Sequence, residues 1–72
     1  MRLKLVKNRV KEFRELNAWS IAELARRAEL VPQTISKMER GIPTSRNSKL
    51  KVAKALGKKI EDVFPDNGTA HT

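Results

Sequence analysis

Ser20–Gly41 reads SIAELARRAELVPQTISKMERG, and its punctuation is that of two short helices joined by a tight turn. Ser20 is a good N-cap, because its hydroxyl can accept a hydrogen bond from an otherwise unpaired backbone N–H. Glu23 lies three residues on and can bond back to the Ser20 amide, which would complete a capping box. Leu24, Ala25 and Ala28 then share one helical face, so a helix is predicted over about 20–27. Pro32 suits the first turn of a second helix, where its missing N–H costs nothing. Ile35 and Met38 give that second helix, about 32–40, an inner face. Gln33, Ser36, Lys37 and Arg40 take the outer face, and Gly41 supplies a left-handed stop. Two close helices with a polar outer face on the second make a helix-turn-helix arrangement.

The 72 residues allow one domain with a small core. There is no cysteine, so neither disulfides nor thiolate metal sites are available. No apolar run approaches the ~18 residues of a membrane span and no signal peptide is evident, so a cytoplasmic protein is expected. Sixteen Lys and Arg against eight Asp and Glu give a net charge of +8. The excess is uneven. Between Arg40 and Ile60 stand Arg40, Arg46, Lys49, Lys51, Lys54, Lys58 and Lys59, with no acidic residue among them. Such a bias favours a polyanionic partner.

The flanking segments complete an all-α pattern. Met1–Leu5 alternates charge and apolarity and is assigned as an N-terminal arm to a domain over 6–65. Val6, Val10 and Phe13 follow the helical repeat and predict a first helix over 6–16. Asn17 can take the left-handed conformation that ends it. Trp19 reads as a core plug. Phe13, Trp19 and Phe64 are the only aromatic residues, too few for a base-stacking platform. A fourth helix is predicted over 45–56, with Leu50, Ala53 and Leu56 inward, Val52 beside them and Gly57 as its stop. A short fifth helix over 60–64 ends at Pro65. The segment 66–72 is polar, includes the sole histidine, His71, and is expected to be disordered.

The pieces RVKEFRE (9–15), S-x-A-E-L-A (20–25), TISKMERG (34–41), LKVAKALG (50–57) and IEDVF (60–64), in that order and spacing, resemble the Xre/Cro/CI-like, or lambda-repressor-like, DNA-binding domains. The resemblance implies a compact five-helix fold with the helix-turn-helix at helices 2 and 3. It implies that helix 3 enters the major groove of double-stranded DNA. Carried over by position, the base-reading candidates are Pro32, Gln33 and Lys37, with Thr34 and Ser36 close by. The Gln33 amide can bond adenine N6 and N7, Lys37 can reach guanine O6 and N7, and Val31 and Pro32 offer apolar surface to a thymine methyl. Arg14 and Glu39 match a structural ion pair between helices 1 and 3.

Phosphate-binding candidates are Ser20 at the start of helix 2, Arg40, and the loop residues Thr44, Ser45, Arg46 and Asn47. Relatives often carry glutamine where this chain has Ile21, so that phosphate contact does not transfer. They often carry glycine where Ala18 and Glu29 stand. Glu29 is therefore expected to be strained by roughly 1 kcal/mol in a left-handed turn, and Val31 leaves helix 3 without a side-chain cap. Ile60, Val63 and Phe64 are assigned to a homodimer interface, whose symmetry would match a palindromic operator.

No paired carboxylates, nucleophile–base set, glycine-rich phosphate loop or metal-ligand spacing occurs, so neither enzymatic activity nor a cofactor or metal is expected. A transcription regulator, in the sense of a repressor, is the primary expectation. No sensor domain follows, so control is expected through concentration, dimerisation or a protein partner. A phage-type Cro-like repressor, a restriction–modification controller and an autorepressing antitoxin all fit. The alternative is an adaptor or antitoxin acting mainly through a protein partner, consistent with the departures at Ile21, Glu29 and Val31.

Overall fold

The computed structural model describes residues 7–65. The expected arm (1–5), Val6 and the polar tail (66–72) with His71 lie outside them. Five helices follow one another: α1 Val10–Leu16, α2 Ile21–Ala28, α3 Pro32–Glu39, α4 Arg46–Leu56 and α5 Ile60–Val63. No strand occurs among the described residues. The architecture is all-α. Helix α2 packs most extensively on α3 and then on α4, and α5 closes against α4.

The core is assembled from every helix. Val10, Phe13, Leu24, Ala25, Ala28, Ile35, Met38, Val52, Ala53, Leu56, Val63 and Phe64 are buried, and none of the described polar or charged residues is. Trp19, Ile21, Leu30 and Ile60 pack against this cluster from its edge. Ile21 thus packs at the edge of the core, at the position where the resemblance implies glutamine. Leu50 departs from the inward position expected of it. It is 44% exposed, and Val52 takes the inner face of α4 with Ala53 and Leu56. Val63 and Phe64 also depart, because both lie in the core of a single protomer at 0% and 1% exposure. Of the three residues assigned to a dimer interface, only Ile60 keeps accessible surface.

Helix α1 starts at Val10, four residues later than its apolar spacing suggests. Asn8 explains the late start, since its side-chain oxygen accepts the Val10 N–H at 3.1 Å. Arg9 is non-helical (φ −117°, ψ 27°), and its own N–H donates to the Val63 carbonyl at 2.8 Å, tying the start of α1 to the end of α5.

The first four helices end in one way. A left-handed residue follows each last turn: Ala18 (φ 58°), Glu29 (φ 58°), Gly41 (φ 83°) and Gly57 (φ 70°). The next residue then donates its N–H back five residues, as in Trp19 to Arg14 (3.1 Å), Leu30 to Ala25 (2.8 Å), Ile42 to Lys37 (3.0 Å) and Lys58 to Ala53 (3.0 Å). These bonds satisfy helix-end carbonyls that would otherwise be orphaned. The left-handed residue after α1 is Ala18, not Asn17, which stays right-handed at φ −89°. The Asn17 amide instead donates to the Phe13 carbonyl at 2.9 Å.

Ala18 and Glu29 carry Cβ atoms in a conformation that costs an L-residue about 1–2 kcal/mol. Ala18→Gly and Glu29→Gly relieve that cost while loosening the unfolded chain by about 0.4–1 kcal/mol. Each is expected to raise stability by up to about 1 kcal/mol, measured as an upward shift of the urea midpoint at unchanged m-value. A fall in midpoint at both positions would show that neither backbone is strained.

Candidate nucleic-acid interface

The helix-turn-helix unit is α2, the turn Glu29–Val31 and α3. Ser20 caps α2, its hydroxyl accepting the Glu23 N–H at 3.0 Å. Only this half of the expected capping box forms. The Glu23 carboxylate turns to Arg26 and Arg27 instead. Hydrogen bonding from Arg26, then from Arg27, holds that carboxyl below the usual carboxylate range. The Ser20 side chain is exposed, and a capping hydroxyl still has its own proton to donate. Ser20 and the first amides of α2 therefore form an outward-facing donor group.

Pro32 opens α3 directly, and Val31 has no side-chain capping bond. Val31, Pro32, Gln33, Lys37 and Arg40 are exposed, while Thr34 and Ser36 are half-buried. Gln33, Ser36, Lys37 and Arg40 together line one shallow depression on the outer face of α3. Glu39 is drawn away from that face. Its carboxylate receives the Arg14 guanidinium in a fork, Nε to Oε2 at 2.6 Å and Nη2 to Oε1 at 3.2 Å. The third Arg14 donor, Nη1, reaches the Trp19 carbonyl at 2.8 Å. The Glu39 carboxylate pushes the Arg14 guanidinium above its ordinary value, against the opposing effect of burial. Arg14 and Glu39 thus form a pair across α1 and α3, and the outer face of α3 is left with two positive charges and no negative one.

The loop before α4 is only partly displayed. Ser45 caps α4, its hydroxyl accepting the Ser48 N–H at 3.2 Å and sharing a 3.0 Å bond with the Ser48 hydroxyl. Arg46 and Asn47 are exposed in the first turn. Thr44 is different. Its hydroxyl is buried with no hydrogen-bond partner, so it is not presented to a phosphate. Ser20, Arg40, Arg46 and Asn47 remain as displayed phosphate-type groups, with Ser45 committed mainly to its cap.

The aromatic rings are all occupied elsewhere. Phe13 lies under Arg9 and Lys58 (4.6 and 5.0 Å to the ring centroid). Trp19 lies under Arg27 at 4.3 Å, and the Lys49 ammonium sits 5.6 Å from the Phe64 ring. Among the described residues no cluster of His, Asp or Glu could hold a metal ion, and no helix is long and apolar enough to cross a membrane.

Comparison with known proteins agrees with this geometry. The helix-turn-helix family profile, HTH_3, matches residues 10–63. The chain belongs to this helix-turn-helix family. Among curated protein sequences none matches it. Solved structures do. The SinR protein in its complex with the SinI protein superposes with a TM-score of 0.67 at 29% identity, covering 74% of this chain and 53% of that one. This chain therefore spans about half of that SinR chain. The N-terminal DNA-binding domain of the master biofilm-regulator SinR from Bacillus subtilis gives a TM-score of 0.72 at 23% identity, covering 88% and 94%. A hypothetical transcription factor, NHTF, from Neisseria gives 0.69 at 24% identity, covering 94% and 90%. The helix-turn-helix domain thus has the lambda-repressor-type fold, with α3 as the second helix of the motif.

Proposed function

We propose that this helix-turn-helix protein is a sequence-specific double-stranded DNA-binding transcription regulator that acts as a repressor. The observation that carries the reading is the outer face of α3, where Gln33, Ser36, Lys37 and Arg40 line a single depression and the helix's one carboxylate, Glu39, is paired inward with Arg14. A helix so arranged can enter the major groove with Gln33 toward adenine and Lys37 toward guanine. Val31 and Pro32 at its start suit a thymine methyl. Ser20 with the α2 N-terminus, and Arg40, Arg46 and Asn47, would hold phosphates on either side and set the register. A homodimer on a palindromic operator is the arrangement proposed. Its interface draws on Ile60, since Val63 and Phe64 are already inside the protomer.

The test is a selection from a random duplex library at ~150 mM salt, where non-specific phosphate binding is weakened. Wild-type protein is expected to recover a palindrome with half-sites about one helical turn apart. Lys37→Ala should relax the preference at the base it reads, by about 1–3 kcal/mol. Arg46→Ala should weaken all duplexes alike and reduce the salt slope by about one unit. If neither substitution alters duplex binding, the docking scheme is wrong.

A second reading is favoured by the SinR–SinI complex among the structural neighbours. In it the domain works mainly through a protein partner. Absence of any enriched sequence, with the protein folded, would support it.

A further inference from the structure

We propose that Asn8 is a positioning residue for base recognition, its amide fixing the C-terminal end of α3 and through it the orientation of Gln33 and Lys37. The proposal rests on the DNA-reading function above. Asn8 precedes α1 and is remote in sequence from the recognition helix. Its Nδ2 nevertheless donates to the Met38 carbonyl at 2.7 Å, while its Oδ1 accepts the Val10 N–H at 3.1 Å. The two bonds fix which way the amide faces, because a flipped amide would set N–H against N–H and oxygen against oxygen. One half-buried side chain therefore spans from the first turn of α1 to the last turn of α3.

The place it grips matters. Met38 directly follows Lys37, and the Met38 carbonyl also accepts the Gly41 N–H at 2.9 Å in the left-handed stop. The Asn8 bond thus enters at the carbonyl on which the end of α3 is built. Glu39, the next residue, is held by Arg14. Two adjacent residues of α3 are consequently pinned to α1 and its approach. The other end of α3 continues directly from the turn after α2, where Leu30 donates its N–H to the Ala25 carbonyl at 2.8 Å. Gln33 and Lys37 lie between these anchors. Helix α3 packs less extensively on α1 than on α2, so polar bonds carry much of the α1–α3 geometry. Releasing one anchor would let α3 turn or tilt and would displace both side chains together. Base hydrogen bonds are directional, whereas phosphate attraction is not. Specificity should therefore fall more than non-specific affinity.

Asn8→Asp separates the two bonds of the amide. A carboxylate keeps the acceptor for the Val10 N–H but loses the donor and sets an anionic oxygen against the Met38 carbonyl. Asn8→Ser likewise can cap Val10 but is too short to span to Met38, and it adds no charge. Amide hydrogen exchange on the free protein and library selection on its complexes give two independent readouts. For both variants, exchange at Arg40, Gly41 and Ile42 is expected to rise about tenfold with the rest of α3 little changed. Operator-over-random preference should fall about tenfold, the equivalent of one base contact, at an unchanged salt slope. Unchanged exchange at the end of α3 overturns the anchor. Raised exchange with wild-type discrimination overturns its role in specificity. If the wild-type protein itself shows no sequence preference, it is the DNA-reading function that fails, and the positioning role for base recognition falls with it, whatever the exchange data show.

Discussion

Arg14→Ala is expected to lower the stability of this domain by about 3 kcal/mol, the low end of the loss on removing one partner of a buried ion pair, because this pair is mostly but not fully withdrawn from water. The Arg14 and Glu39 side chains are 11% and 9% exposed. Truncating Arg14 leaves the Glu39 carboxylate without the guanidinium that forks onto it, and leaves the Trp19 carbonyl without its Nη1 donor. Small domains have total stabilities of about 5–15 kcal/mol, so the variant should be substantially unfolded well below the wild-type midpoint. Glu39→Ala should be comparably harmful, because an arginine charge is then stranded. The pair itself contributes far less than either truncation suggests, since both ions were desolvated to make it. A double replacement, Arg14→Met with Glu39→Leu, should accordingly recover much of the loss but not all, because the Trp19 carbonyl remains unpaired. Urea unfolding of the wild type, the two alanine variants and the Arg14→Ala/Glu39→Ala double closes a cycle that gives the coupling energy directly. Losses below about 1 kcal/mol in both single alanine variants would place the pair with ordinary surface bridges and remove it as a fixed link between α1 and α3.

The same pair shows what a sequence can and cannot reveal. Arg14 and Glu39 could be matched only through the family resemblance, which implies an arginine–glutamate pair at these positions of RVKEFRE and TISKMERG. The left-handed stops at Gly41 and Gly57 were legible for a more local reason, since glycine advertises a positive φ. At Ala18 and Glu29 the residue type carries no such signal. Resemblance to relatives marked both as positions where glycine is usual, but Asn17 competed as the stop after α1. Its side chain bonds the Phe13 carbonyl instead, which a right-handed Asn17 permits.

Long-range polar bonds were the least legible feature. Nothing in the local pattern around Asn8 points to a carbonyl 30 residues away, and the apolar spacing of Val6, Val10 and Phe13 favoured a helix running straight through it. Local competition was equally hidden. Glu23 satisfies the spacing rule for a capping box, yet two arginines on its own helix claim its carboxylate. Thr44 has the chemistry of a phosphate ligand, but the chain path turns its hydroxyl inward. The outer face of α3 could be read from the helical repeat, and its assignment to DNA only from the family resemblance. Which of the candidate residues are displayed depended on tertiary packing.

Phe64→Ala is expected to cost about 3–5 kcal/mol, the range for deleting a buried aromatic ring, and to do so independently of protein concentration. Apolar residues crowded into a four-residue helix at the end of a chain invite assignment to a subunit interface, because so short a helix needs little inner face. The protomer uses them itself. Phe64 is 1% exposed and Val63 is 0% exposed, and the Val63 carbonyl takes the Arg9 N–H that joins α5 to the start of α1. Removing the ring should therefore open a cavity at the α4–α5 junction and loosen the start of α1 with it. Ile60→Ala, at the half-buried edge of the same cluster, should cost less in the protomer, and any penalty it carries through self-association should fade on dilution. Thermal melts of wild type and both variants at two protein concentrations, alongside sedimentation analysis, separate these roles. A Phe64→Ala penalty that vanishes at low concentration, where subunits are already apart, would return Phe64 to the interface and require α5 to open before dimers form. A constant penalty places Phe64 in the protomer core and leaves Ile60 as the residue of the three with accessible surface for a contact between copies.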